Sequence, residues 1–307
     1  MLLLSVVACS GKDAADSAID TAGIDTGHID TAPEPVWEEW RVPTSERLHG
    51  VYASGEGIYI VGTTGHAWRG GTDEWNALSP GVGERDFTDL WAQGAGDSID
   101  LYATVTEGQI AHHTGGEWTI ETVGTSNHEG IDGSGPDNLY AVSFGGIYHF
   151  DGMTWTFEAP PSNERLNDVY GNGADALAVG EAGAMLRREN GTWQTVDAGV
   201  TTDLHAVTGT AMDDMWAVGE SGVALHFDGT SWTPTETGTT NALWAVFAPE
   251  EDIAFAVGNN GTALRWTDDA WEVLPTGVPN NLYTVHGVAA DSVWAVGNAG
   301  MALQFKD

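Results

Sequence analysis

The stretch WAVGESGVALHFDGTSW, residues 216–232, decides the fold because near-copies of it recur along the chain. Three related stretches are LAVGEAGAMLRRENGTW from Leu177, FAVGNNGTALRWTDDAW from Phe255 and WAVGNAGMALQF from Trp294. Self-similarity at a fixed period is the signature of repeat architectures. The stretch is therefore either a recurring chemical site or a structural unit whose function lies elsewhere.

Two landmarks define the period. Trp residues recur at intervals of 37 to 43 residues, at positions 37, 75, 118, 155, 193, 232 and 271. A Leu or Ile opens each unit, at Leu48, Leu90, Ile131, Leu166, Leu204, Leu243 and Leu282. The opening residue follows the Trp by 11 residues in five of the seven units. Chance does not explain two landmarks that keep step over seven units.

Within one unit the pattern is that of short strands. Leu204–Gly209 alternates in polarity, and Met215–Gly219, Val223–Phe227 and a segment from Trp232 follow it, separated by Asp- and Gly-rich turns. Four antiparallel strands in about 40 residues are typical of a β-propeller blade. The sequence therefore predicts an all-β fold, a seven-bladed β-propeller spanning residues 36–307.

The two ends of the repeat predict how the ring closes. The last unit stops at Asp307 without a Trp strand, whereas VWEEWRV at residues 36–42 supplies an extra one. We expect this N-terminal strand to complete the last blade, because closure leaves no sheet edge open.

The N-terminal residues differ from the repeat. MLLLSVVACS is an apolar run whose Val6-Val7-Ala8 precedes Cys9, the only cysteine. This resembles a bacterial lipobox, which implies cleavage before Cys9 and lipidation of it. The run lacks a preceding Lys or Arg, so we expect a start codon further upstream. Residues 1–8 are thus a predicted lipoprotein signal segment, and residues 9–35, with three Ile-Asp-Thr repeats, a disordered acidic tether.

Composition restricts the partners. The chain has 307 residues, with 45 Asp and Glu against 10 Lys and Arg, a net charge of -35. Such a surface repels nucleic acid and anionic lipid, so we expect membrane contact through the lipid anchor only. It attracts cations, Ca²⁺ included, but no EF-hand loop or other specific calcium motif is present. We therefore predict no cofactor and no metal site, with bound Ca²⁺ as the alternative.

The repeat resembles two groups of propellers. HFDGTSW at residues 226–232 and HFDGMTW at residues 149–155 resemble the Asp-box of sialidase-like propellers, where the motif stabilises a turn. The whole unit is similar to repeats of bacterial surface propellers and photosystem II assembly factors. These resemblances imply a fold and not a function. A sialidase needs a converging arginine triad, and none of the eight arginines opens an innermost strand, so we expect no catalytic residues of that kind.

Aligning the units by their Trp landmarks exposes two rings of equivalent positions. The third-strand ring lies six residues before each Trp: Arg69, His112, His149, Arg187, His226 and Arg265, with Gln304 in the open blade. We interpret it as packing, with each basic side chain within hydrogen-bond reach of an Asp, a Glu or a backbone carbonyl. The alternative is an anion site.

The second ring, the opening ring, follows the opening Leu or Ile of each unit: His49, Trp91, Asp132, Asn167, His205, Trp244 and Tyr283. These residues begin the innermost strands, at the face of the ring where propellers bind ligands. Their chemistry differs from blade to blade. Aromatic faces with polar edges suit a glycan or a peptide. The alternative is a set of aromatic plugs between blades.

These observations favour a non-catalytic binding or assembly scaffold, exported and lipid-anchored to the cell envelope at the outer membrane or cell surface. We expect a monomer whose partner is an envelope protein or a glycan. The alternative is a carbohydrate-active enzyme at the channel mouth, which requires two carboxylates close together in one pocket there.

Overall fold

A computed structural model describes residues 36–70 and 74–306. The signal segment 1–8, Cys9 and the tether 9–35 lie outside these residues, so their predictions are not tested. Within the described part of the chain, no helix has both the length and the apolar character needed to cross a membrane.

The strands form seven four-stranded antiparallel sheets, the blades, which we number from the N-terminal side. The innermost strands of blades 1 to 7 are β2 (Leu48–Ser54), β6 (Phe87–Gln93), β10 (His128–Gly135), β14 (Leu166–Asn172), β18 (Leu204–Ala211), β22 (Leu243–Glu250) and β26 (Leu282–Ala289). The second strands are β3 (Gly57–Gly62), β7 (Asp100–Val105), β11 (Asn138–Ser143), β15 (Asp175–Gly180), β19 (Asp214–Gly219), β23 (Ile253–Gly258) and β27 (Ser292–Gly297).

The outer half of each blade has two shorter strands. The third strands are β4 (Ala67–Gly70), β8 (Gln109–Thr114), β12 (Gly146–Phe150), β16 (Met185–Glu189), β20 (Ala224–Phe227), β24 (Ala263–Thr267) and β28 (Met301–Lys306). The fourth strands are β5 (Trp75–Leu78), β9 (Glu117–Thr122), β13 (Trp155–Glu158), β17 (Thr192–Thr195), β21 (Trp232–Thr235), β25 (Ala270–Val273) and β1 (Val36–Arg41). Short 3-10 turns occur at Thr63–Gly65, Gly96–Ser98, Glu181–Gly183, Glu220–Gly222, Asn259–Gly261 and Asn298–Gly300.

The ring closes as the sequence predicts. β1 pairs antiparallel with β28, placing Trp37 opposite Phe305, and so supplies the fourth strand of blade 7. Neighbouring innermost strands contact one another around the ring, and β26 contacts β2. The all-β, seven-bladed propeller is therefore confirmed.

The recurring Trp residues belong to the packing between blades. In blade 5, Trp216 is 1% exposed, and its ring centroid lies 4.9 Å from Trp266 and 5.2 Å from Trp271, both in blade 6. Tyr140 of blade 3 likewise meets Trp193 of blade 4 edge to face at 6.2 Å. Large aromatic side chains contribute most of the buried apolar area in such cores, so these landmarks are structural.

The glycine of the AVG motif is also structural. A Cβ on Gly219 would collide with the carbonyl oxygen of Asp203, the residue that precedes the innermost strand. That same carbonyl accepts a hydrogen bond from the N–H of Glu220 at 2.9 Å. Because it has no side chain, Gly219 allows the end of the second strand to pack directly on the backbone at the start of the innermost strand.

The register corrects the opening ring in two blades. A β-bulge follows the first residue of every innermost strand, and that first residue pairs with the last residue of the second strand, as in Leu204 with Gly219. In blades 2 and 3 the residues in this position are Phe87 and His128. The predicted markers Leu90 and Ile131 lie three residues further along. The prediction was wrong there because both positions are buried and apolar in most blades, so composition alone does not separate them.

The third-strand ring packs against neighbouring side chains, and the predicted carboxylate partner is present at His112, His226 and Arg187. His112 and His226 bind the carboxylates of Asp100 and Asp214 at 2.5 and 2.8 Å. Their rings also stack on aromatic side chains of the second strand, with centroids 4.0 to 4.6 Å apart in the three His blades. The remaining contacts are His149 with Asn138, Arg69 with Asp97, Arg187 with Glu189, and Arg265 over Phe255. This ring is therefore part of the architecture.

The two Asp-Gly turns that resemble an Asp-box are held by their aspartates. Asp228 accepts hydrogen bonds from the N–H groups of Thr230 and Ser231, each at 2.9 Å, and Asp151 does the same in blade 3. These bonds lower the pKa of both carboxyls. The bonds define a turn and carry no assignment of function.

His128 stands where five blades have Leu and blade 2 has Phe, and it is fully buried. Burial lowers the pKa of His128 to about 4, an effect that backbone groups of Val123 and Gly108 partly offset. The unfolded chain therefore binds the proton first as pH falls below about 6.5. The stability that this neutral side chain contributes is present above pH 6.5 and is lost as pH falls towards 4.

We predict that His128→Leu stabilises the propeller, by about 1 to 2 kcal/mol at pH 7, because it removes buried ring nitrogens that lack well-formed hydrogen bonds. The gain increases by up to about 1.4 kcal/mol per pH unit between pH 6.5 and 4. Denaturant unfolding at pH 7 and 5 measures both effects. The reciprocal control, Leu166→His, destabilises. Equal midpoints for His128→Leu and the unmodified protein at both pH values would contradict this account.

Candidate functional site

The innermost strands have an edge that faces the channel and belongs to no sheet ladder. Buried backbone N–H and C=O groups need partners. Side chains of the preceding blade supply several of them: Asp89 accepts from the N–H of Ile131 at 2.9 Å, and Asp168 from Val207 at 2.8 Å. These side chains fasten each blade to the next one.

Two members of the predicted opening ring belong to this fastening set. Asp132 accepts a hydrogen bond from the N–H of Gly171 at 2.9 Å, and the indole of Trp91 donates to the carbonyl of Gly133 at 2.9 Å. Neither residue lines the cavity at the channel mouth. The prediction of Trp91 and Asp132 as members of one ring with the other five was therefore wrong, because their strands begin three residues earlier than expected.

The bulge after the first residue of each innermost strand places one structurally equivalent residue in every blade. We call this set the bulge ring; its members are His49, Thr88, Glu129, Asn167, His205, Trp244 and Tyr283. All seven line one cavity of about 570 Å³ at the mouth of the channel. A cavity of this size suits a ligand or a short peptide segment.

One half of the bulge ring is an aromatic arc that runs through blades 5, 6, 7 and 1. His205 stacks on Trp244 with centroids 4.2 Å apart, Trp244 lies 6.0 Å from Tyr283, and Tyr283 lies 5.9 Å from His49. The rings are partly buried and pack on one another. The arc is thus both a wall of the cavity and a packing element, so the two interpretations made from the sequence are not exclusive.

Hydrogen bonds orient the arc. The indole N–H of Trp244 donates to Asn259 Oδ1 at 2.8 Å, and His205 Nε2 lies 3.2 Å from Glu220 Oε1. Both partners come from the turn between the second and third strands of the same blade. Burial and the charge of Arg47 lower the pKa of His49 to about 4, so its imidazole is neutral at pH 7.

The other half of the bulge ring, in blades 2, 3 and 4, is a polar arc. Thr88 and Asn167 donate to the carbonyls of His128 and Leu204 at 2.6 and 2.8 Å, each in the next blade. Glu129 forms an ion pair with Arg165, Oε1 to Nη2 2.5 Å. The mouth therefore presents aromatic rings on one side and hydrogen-bonding and charged groups on the other.

A second set of positions distinguishes the blades. The residue directly before each innermost strand, the junction residue, is Asp or Asn in four blades: Asp86, Asn127, Asp203 and Asn281. Each of these accepts a hydrogen bond from a backbone N–H in the turn of the preceding blade, at 2.7 to 3.0 Å. That N–H belongs in every case to a residue with positive φ, so the junction residue supports a strained turn.

Arginine replaces the junction residue in blades 1 and 4. Arg47 lies over the ring of Tyr283, 4.7 Å from its centroid, and Arg165 binds Glu129. Both line the mouth, although the chain has only 10 Lys and Arg in all. Neither arginine performs the turn-supporting role seen in blades 2, 3, 5 and 7, and neither does Ala242, the junction residue of blade 6. Sequence reasoning missed these two residues, and also Thr88 and Glu129.

Carboxyls of the channel wall are shifted by burial. Burial raises the pKa of Asp89 and of Asp132 to about 7, although the backbone N–H groups that they accept act in the opposite direction. Burial raises the pKa of Asp168 as well, and the neighbouring charge of Asp89 adds to the effect. Asp89 and Asp168 line the same cavity, so two buried carboxyl groups share one pocket at the mouth, which is one part of what the enzyme hypothesis requires.

No metal centre is indicated by the described residues: within 36–70 and 74–306 no three or more His, Cys, Asp or Glu side chains are grouped to hold an ion. The carboxyls of the channel wall accept backbone N–H groups instead.

We predict that the free energy of unfolding falls less steeply between pH 4 and 8 in Asp89→Asn and in Asp132→Asn than in the unmodified protein. A raised pKa keeps the proton in the folded state, so the contribution of each carboxyl is largest below about pH 4 and is lost as pH approaches 7. The effect is at most about 1.4 kcal/mol per pH unit for each group, and water in the channel reduces it. Denaturant unfolding from pH 4 to 8 measures it. Asp97→Asn, on a fully exposed carboxyl, is the control, and an unchanged pH profile in both channel variants would contradict the assignment.

Comparisons with known proteins identify the fold and no family. No protein-family model matches the chain, and no curated protein matches it. Among solved structures it is similar to YCF48 from Cyanidioschyzon merolae, with a TM-score of 0.72, 16% identity, and coverage of 88% of this chain and 99% of that one. A structure of YCF48 bound to D1 peptide gives a TM-score of 0.71 at 16% identity, covering 88% and 97% of the two chains. The WD40 propeller domain of Doa1 gives 0.71 at 10% identity, covering 88% and 95%. These similarities place the chain among seven-bladed propellers by architecture.

Proposed function

We propose that this protein is a non-catalytic binding or assembly scaffold that holds a segment of a partner at the mouth of its channel. One observation carries the proposal: the bulge ring lines a single cavity, and its residues differ from blade to blade while the surrounding architecture repeats. Repeated positions such as Trp216 and Gly219 are occupied by packing, so they are not available for recognition.

The two arginines support the same location. Arg47 and Arg165 stand where other blades use Asp or Asn to support a turn, and both line the mouth. Two of the chain's 10 Lys and Arg residues therefore lie beside the cavity. YCF48, a propeller of similar shape, has been solved with a D1 peptide bound, which supports a peptide or protein segment as the class of ligand. An envelope protein is the partner we favour, and a glycan on the aromatic arc is the other candidate.

The binding proposal predicts that partner capture depends on the mouth. The full chain, immobilised in envelope extract, should retain a partner whose capture Trp244→Ala reduces by about tenfold or more, as expected for an aromatic residue at the centre of an interface. Phe157→Ala is the matched control, because Phe157 is 53% exposed on the outer strand β13. Equal capture by all variants that melt normally would contradict a site at the mouth.

We further propose that the protein is exported and lipid-anchored to the cell envelope, at the outer membrane or cell surface, as a monomer. The Val-Val-Ala-Cys pattern ending at Cys9 and the acidic tether 9–35 support this. In the producing cell, an alkyne palmitate analogue should label the unmodified protein and fail to label Cys9→Ser. Equal labelling of the two would contradict lipidation at Cys9.

A carbohydrate-active enzyme remains the second candidate, since Asp89 and Asp168 lie in one cavity with raised pKa values. Each of these carboxyls also accepts a backbone N–H from the next blade, which gives it a role in the fold. Release of reducing sugar from a glycan panel that Asp168→Asn abolishes, with folding intact, would favour the enzyme over the scaffold.

A further inference from the structure

We infer that the mouth receives a cationic side chain, Lys or Arg, carried by an extended segment of the partner polypeptide. This inference rests on the proposed function and names the chemical class of the ligand. It depends on the charge of the cavity, the chemistry of the aromatic arc and the way the protein's own arginines are held there.

The charge of the cavity favours a cation. Two guanidinium groups line it beside five carboxyl groups: Asp89, Glu129, Asp168, Glu181 and Asp203. Burial raises the pKa of Asp89 and of Asp168, so the share of these two in the negative charge is reduced. The surrounding protein has a net charge of -35. An excess of negative charge in a cleft and over the surface around it attracts ligands of the opposite sign. An anionic ligand would have to approach against both the cavity and the whole surface.

The aromatic arc already binds a guanidinium. Arg47 lies 4.7 Å above the ring of Tyr283, a distance at which the negative face of an aromatic ring attracts a cation. Trp244, next along the arc, has the ring type that binds cations most strongly. Its indole N–H is engaged by Asn259, which fixes the plane of the ring. The arc therefore offers a second cation site of the kind that Arg47 occupies at Tyr283.

The polar arc binds a guanidinium as well. Glu129 pairs with Arg165 across blades 3 and 4. A carboxylate has four lone-pair sites, so one ion pair leaves acceptor capacity in the cavity. The two internal arginines thus make the two contacts, aromatic face and carboxylate, that an incoming Lys or Arg would make between the arcs. The ion pair with Glu129 balances the charge of Arg165 within the cavity.

A polypeptide fits better than a small free cation. The cavity of about 570 Å³ is several times the volume of a single side chain. Residues of all seven blades line it, so an extended segment that crosses the mouth can contact several blades at once. The acidic surface beyond the rim also attracts a basic partner over a larger area than the cavity alone.

The test uses the full chain and a set of matched fluorescent peptides. A Gly/Ser peptide with two arginines is compared with the same peptide containing citrulline, which keeps the shape and removes the charge, and with a glutamate version. We expect the arginine peptide to bind at least tenfold more tightly than either of the others at 150 mM salt. Trp244→Ala should weaken its binding about tenfold, and Trp244→Phe should restore most of it.

Charge variants separate specific binding from general attraction to an acidic protein. Glu129→Gln in the mouth should weaken binding of the arginine peptide several-fold. Glu189→Gln removes the same charge from the Arg187 pair outside the cavity and should have no effect. If Glu129→Gln and Glu189→Gln weaken binding of the arginine peptide equally, or if Trp244→Ala does not weaken it, the peptide does not bind at the mouth.

The remaining outcomes distinguish this inference from the proposed function. Preference for the citrulline or glutamate peptide, still dependent on Trp244, would overturn the cationic class and leave the scaffold standing. If spermine binds as tightly as the arginine peptide, the inference that the cation is carried by a polypeptide is wrong. Absence of binding by every peptide, together with partner capture that mouth variants leave unchanged, would overturn both.

Discussion

The channel-facing edge of each innermost strand is the constraint on which the rest of the structure depends. A sheet that ends at a channel leaves backbone N–H and C=O groups without ladder partners, and leaving such groups unpaired costs about 1–3 kcal/mol each. In this propeller Asp89, Asp132 and Asp168 reach the next blade and accept its N–H groups, and the Nδ1 atom of His286 does the same for Ala53 at 3.1 Å. The ring is therefore held by side chains that run from blade to blade, in addition to the closing pair β1 and β28.

This way of fastening the ring explains the composition of the channel. Acceptors are needed where N–H groups are exposed, and burial then raises the pKa values of the carboxyls that supply them. Above these positions, at the bulge, the chain bends out of the ladder and the side chain is free to vary. Tyr283 and Thr88 occupy equivalent bulges with unrelated chemistry. Architecture thus fixes the wall of the channel and leaves the mouth open to specialisation.

Most of the fold was predictable because packing repeats in the sequence. Three features could be recognised from the sequence because each has a structural role that every blade needs: the Trp landmarks, the AVG glycine and the extra strand at residues 36–41. The first residue of the innermost strand in blades 2 and 3 could not be identified from residue type. The opening residue and the residue three positions later both face the core, so Leu90 resembles an opening residue as well as Phe87 does. Spacing carried the missing signal, since Leu90 and Ile131 follow their Trp by 15 and 13 residues instead of 11.

Five members of the predicted ring, among them Trp244 and Tyr283, do meet at the mouth, and Thr88 and Glu129 replace the other two. Contacts between blades leave no local pattern: Asp89 and Ile131 are 42 positions apart, and Arg47 and Tyr283, where blade 1 meets blade 7, are more than 200 apart.

Hydrogen–deuterium exchange of the full chain, with and without the arginine peptide, tests most directly whether recognition occurs where the blades differ. We expect slower exchange in the mouth segments 47–50, 87–89, 128–130, 165–168, 204–206, 243–246 and 282–285, and no change in the fourth strands. Protection confined to the fourth strands, or to the turns that join first and second strands at the opposite end of the channel, would contradict it.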